Sequence, residues 1–111
     1  MNEAKYINSD IKHFLQRLRN KQSGKRKGLS VEFLYSLWNK QKGKCAITGD
    51  SMTHIAGNGR LGTNVSIDQI LPSKGYTEGN VQLVTWDANR MKGSLTMNQL
   101  HDLCKRILDA R

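Results

Sequence analysis

Apolar residues recur at helical spacing over residues 4–20, where Ile7, Ile11, Phe14, Leu15 and Leu18 share one stripe and Lys12, Arg17 and Arg19 are left for the outer face. This predicts an amphipathic helix whose stripe needs a partner. A second helix is predicted from Ser30, a suitable cap, to about Lys40. Val31, Leu34, Tyr35 and Trp38 form its inner face, and Phe33 and Leu37 widen it, a density that implies deep burial. Gly43 ends that helix, a short strand-like segment follows within 41–50, and a Gly-rich stretch occupies 57–62. Toward the C-terminus, Thr96 and Gln99 have capping-box spacing, and Leu100, Leu103, Cys104, Ile107 and Leu108 line one face of a last helix.

Between these helices the period changes. Two β-branched runs, 65–70 and 81–86, flank a polar loop with Gly75 and Gly79, and a short helix-compatible piece follows at once. A hairpin therefore leads straight into a helix. The expected fold is α+β and a single domain over 1–111, with this hairpin and short helix packed among longer helices. Residues 1–29 make a basic helical extension and loop, 30–95 the core and 96–111 the C-terminal helix.

Polar residues interrupt the hairpin unit where a core segment would not favour them: Asp68 and Gln69 in the first run, Asn80 at the mouth of the second, and Asn89 and Lys92 one turn apart on the helix. A carboxylate between Ile67 and Ile70 is costly to bury unless it is paired or binds a cation. Mg²⁺ takes few protein ligands, so Asp68 with the amide oxygen of Asn89 is a plausible set. Taken singly, Asp68 also suits a turn or cap, Asn89 a helix surface and Asn80 an Asx-turn.

Charge adds a partner. The 111 residues carry a net charge of +9, and residues 1–44 hold eleven basic and three acidic side chains. Such a balance favours a polyanion, DNA first and RNA as a weaker option. Lys25, Arg26 and Lys27 lie in a loop, 20–28, without an apolar residue, and read as a solvated basic segment or as phosphate contacts. Lys74 and Arg90 are further candidates for DNA contact. No apolar run approaches the roughly 20 residues of a spanning helix, and the first residues lack a signal-peptide pattern, so no membrane association and a cytoplasmic location are expected. Cys45 and Cys104 have no CxxC partners and are expected to be reduced thiols.

The run SIDQILPSKGYTEGNVQLVTWDANRMK, 66–92, preceded by a helix ending in QKGKCAITG, resembles the HNH nucleases of phage and bacteria. The resemblance covers roughly residues 30–95. It implies a ββα-metal site and hydrolysis of DNA phosphodiester bonds with one Mg²⁺ or Mn²⁺ per chain, and no small-molecule cofactor. One site per chain makes nicking the simplest outcome, by a monomer or a weak homodimer. By matching positions, Asp68 and Asn89 would hold the metal, Asn80 would tie the loop, and Lys92 would face the scissile phosphate. Gln69 stands where most of the family has the His that takes a proton from water, and an amide cannot do so. Either Gln69 only orients the water, with the metal or His54 removing the proton, or it marks a slow or inactive member that binds DNA, or it is a change that silences the nuclease. Cys45-Ala-Ile-Thr48 holds only the first cysteine of the zinc-stapling CxxC seen in relatives, so no structural zinc is expected.

Overall fold

The computed structural model describes residues 7, 8, 10–57 and 59–111. The architecture is α+β: among the described residues, four helices accompany two small antiparallel sheets.

Strand β1 (Ile7–Asn8) precedes helix α1 (Ile11–Arg19). The periodicity places Ile7 on the helix, but the helix begins later. Asp10 takes an extended backbone and its carboxylate accepts from the His13 N–H at 3.2 Å, which caps the first turn there. Ile7 instead pairs with Ala56 of strand β2 (Ile55–Ala56). Residues 4–6 and 9, also assigned to this helix by periodicity, lie outside the described residues. Within α1, Leu15 is fully buried, and Ile11, Phe14 and Leu18 pack against the core.

Helix α2 (Val31–Lys40) starts where its cap predicts, with Ser30 Oγ accepting from the Phe33 N–H at 3.0 Å. Left-handed backbone at Lys42 and Gly43 then turns the chain back. Only Leu34 is fully buried; Val31, Phe33, Tyr35, Leu37 and Trp38 are half-buried around the core. The deep burial expected for the whole face is not found, because α1 and the hairpin cover only part of it.

Strands β3 (Val65–Gln69) and β4 (Val81–Thr85) form the predicted antiparallel hairpin, in a register from Val65 opposite Thr85 to Gln69 opposite Val81. Ile67 and Leu83, neighbours across it, are at most 1% exposed. Helix α3 (Trp86–Lys92) follows β4 without a loop and packs against both strands. Helix α4 (Met97–Asp109) opens on the expected capping box: the Gln99 N–H donates to Thr96 Oγ1, and the Thr96 N–H donates to Gln99 Oε1. Its stripe is buried only at Leu100, whereas Ile107 and Leu108 are 48% and 66% exposed. No helix is long and apolar enough to cross a membrane among the described residues.

Candidate functional site

Alternation along β3 puts Ser66 and Asp68 on one face of the hairpin and Val65, Ile67 and Gln69 on the other. The first face meets α3. Thr85 caps that helix by accepting from the Ala88 N–H at 3.1 Å, which fixes its phase so that Asn89 and Lys92, three residues apart, look onto Ser66 and Asp68. Two polar rungs result. Asn89 donates to Ser66 Oγ at 2.6 Å, and the Lys92 ammonium donates to Asp68 Oδ1 at 3.1 Å and to the Gln69 carbonyl at 2.8 Å. Gln82, directly across the hairpin, donates to Asp68 Oδ2 at 2.9 Å.

The side chains of Lys92 and Asp68 are 0% and 3% exposed, so this ion pair is withdrawn from water. Lys92, expected to face a phosphate, is turned inward, because a buried carboxylate and a free carbonyl offer its ammonium partners in a place that water does not reach. A hard cation would find oxygen donors in Asp68 and Asn89, and each Asp68 oxygen accepts one of the two side-chain hydrogen bonds and retains a lone pair. No group of three or more His, Cys, Asp or Glu side chains is gathered among the described residues. An ion here would thus depend on water or phosphate for most of its shell.

Asn80 is buried at the end of the loop and ties it. Its amide donates to the carbonyls of Leu71 and Gly75, and its Oδ1 accepts from the Leu71 N–H. Gln69 is half-buried on the opposite pleat face from Asp68, and only its main-chain carbonyl joins the site. His54 is placed elsewhere: its ring packs edge-on against Phe14 and Trp38, between α1 and α2.

The basic residues separate into two kinds. Lys25, Lys27, Lys74 and Arg90 are exposed, the last paired with Asp87 at 2.8 Å. Arg26 is not part of a solvated loop. It is 5% exposed, donates to the Leu18 carbonyl at 2.7 Å and the Tyr76 hydroxyl at 3.2 Å, and lies over the Tyr76 ring. Arg19, expected on the outer face of α1, holds the same segment by donating to the carbonyls of Leu29 and Lys27. The segment 20–28 is thereby folded onto the domain.

Ser66 and Gln82 belong to the site although their sequence positions drew no notice. Alternation from Asp68 marks Ser66, but Gln82 is found only through the hairpin register. A second junction joins the segment after α2 to the start of α3. Cys45 Sγ accepts from the N–H groups of Thr48 and Thr85 and from the Thr85 hydroxyl. Burial alone would raise the thiol, but hydrogen bonds from the side chain and backbone of Thr48 and from the backbone of Thr85 and Ile47 outweigh it and hold Cys45 below its ordinary value. Comparison of the chain with protein-family models, with curated proteins and with solved structures finds no match.

Proposed function

We propose that this chain is a metal-dependent endonuclease that hydrolyses DNA phosphodiester bonds at the junction of the β3–β4 hairpin and α3, the ββα-metal arrangement that its sequence resembles. The observation that carries this reading is a buried carboxylate, Asp68, on the same hairpin face that receives Asn89 from the helix. Asp68 and Asn89 would hold one Mg²⁺ or Mn²⁺, which when bound would draw off charge that builds on the phosphate as its bond breaks. The protein's own groups set the geometry. Ser66 orients the Asn89 amide, Gln82 and Lys92 fix both oxygens of Asp68, and Asn80 holds the loop that follows β3. Lys92 acts here as a positioning residue through Asp68, not as a phosphate ligand.

The test is conversion of supercoiled plasmid to nicked circles in Mg²⁺ or Mn²⁺. Cleavage should vanish with EDTA and in Asn89→Ala or Asp68→Asn protein that circular dichroism shows to be folded. Metal-independent DNA binding without cleavage at any Mg²⁺ or Mn²⁺ concentration would sink the nuclease reading. A second reading has its own observation: an ammonium already neutralises Asp68, and Gln69 supplies no base. Both would suit a DNA-binding module that keeps the scaffold without the chemistry, and the same plasmid assay separates the two.

A further inference from the structure

Asn89 and Ser66 also border a cleft of about 540 Å³ between α1, the basic segment and the start of α3. Its walls carry Lys21, Arg26 and Arg60 beside Tyr76 and Trp86, and no acidic side chain lines it among the described residues. Two arginines are splinted on aromatic rings: Arg26 lies 4.7 Å from the Tyr76 ring centre and Arg60 lies 4.4 Å from that of Trp86. Stacking fixes a guanidinium plane and leaves its N–H edges for a planar or tetrahedral oxyanion. Arg26 is the more firmly held. It is 5% exposed, and Leu18 and Tyr76 hold its guanidinium in place, so its charge stands at the cleft without swinging into solvent, while its Nε–H is closed off from the cleft. Three cations and no carboxylate around one cavity call for an anion.

The geometry points to this cleft as a clamp for a nucleic-acid phosphate, held by Arg26, Arg60 and Lys21 next to Asn89. The assignment rests on the nucleic-acid partner proposed above but not on cleavage. The clamped phosphate would neighbour the one presented to Asp68 and Asn89, so the clamp would set the register of the strand. Residues 20–28 would then act by shaping this cleft through Arg26, and not only as a diffuse cationic loop. Inorganic phosphate or a free mononucleotide shares the same chemistry and is the competing ligand.

Binding of fluorescein-labelled duplex DNA to the full chain, followed by anisotropy in EDTA over a KCl series, tests the clamp without cleavage. Arg60→Ala should weaken binding roughly tenfold to a hundredfold and lower the salt slope by about 0.9, the loss of one charge-assisted phosphate contact. Arg60→Lys should restore the slope but not the full affinity. Arg106→Ala, the same charge change on exposed α4, should do neither. In NMR spectra of the wild-type chain, the Arg60 Nε–H resonance should shift on adding DNA. Equal effects of Arg60→Ala and Arg106→Ala, or an unmoved Arg60 resonance with DNA bound, would overturn the clamp while leaving DNA as partner. A shift with inorganic phosphate or mononucleotide from a chain that binds no DNA would overturn the assignment to nucleic acid and the DNA reading with it.

Discussion

Lys92→Met is the most informative single change in this protein. It keeps an unbranched side chain one atom shorter and removes an ammonium that is 0% exposed and bonded to Asp68 Oδ1 and the Gln69 carbonyl. Removing one member of a buried ion pair costs about 3–5 kcal/mol, because the other charge is left in a low-dielectric site. The abandoned carbonyl adds about 1–3 kcal/mol. Domains of this kind are stable by only about 5–15 kcal/mol, so the single variant should be marginally folded. Adding Asp68→Asn removes the stranded charge, and the double variant should recover most of the loss, a non-additivity expected only of coupled neighbours. Urea unfolding followed by circular dichroism in EDTA measures both. Repeating it with Mn²⁺ examines the same carboxylate as a metal ligand, since an ion that takes the place of the ammonium stabilises by about 2.7 kcal/mol at a hundredfold excess over its dissociation constant. A loss below about 1 kcal/mol in Lys92→Met, or a double variant less stable than the single, would refute the buried pair.

Because the Gln69 side chain lies on the pleat face away from Asp68, Gln69→His should leave the single-turnover cleavage rate nearly unchanged under the nuclease reading; a rise of about 10²-fold, as a general base gives, would mean that residue 69 reaches the attacking water after all. Lys25→Ala with Lys27→Ala should leave the urea midpoint nearly unchanged and flatten the salt dependence of DNA binding, whereas Arg26→Ala should lower the midpoint, since that side chain bonds Leu18 and Tyr76. The reverse pattern would mean that Arg26 is not the buried member of the segment. Cys45 is held below the ordinary thiol value in the fold, so between its folded and unfolded values the unfolded chain binds the additional proton and stability rises with pH. That contribution is complete above the unfolded value and is lost as pH falls through the folded one. The difference in unfolding free energy between wild type and Cys45→Ala should grow from neutral to mildly alkaline pH, and a flat difference would contradict the hydrogen bonds to its sulfur.

What was legible in the sequence was local. Ser30 and Thr96 cap helices where they stand because a cap and its N–H are three residues apart, and the period-2 runs with their glycine loop define the β3–β4 hairpin for the same reason. The polar residues of the site were visible as interruptions of an apolar pattern, and Asn80 sits close enough to its loop to be read as its tie. Tertiary structure decided who satisfies whom. Asp68 meets Lys92 across 24 residues and Arg26 meets Tyr76 across 50, so nothing near Lys92 or Arg26 in the chain reveals that their charges are turned inward. The same holds for Ile7, which periodicity assigns to α1 but which pairs with Ala56, and for Leu108, whose apolar face α4 leaves in solvent. A sequence fixes the period and the caps through neighbours within one turn. Burial of a charge depends on which distant surface closes over it, and only the folded chain brings that surface into place.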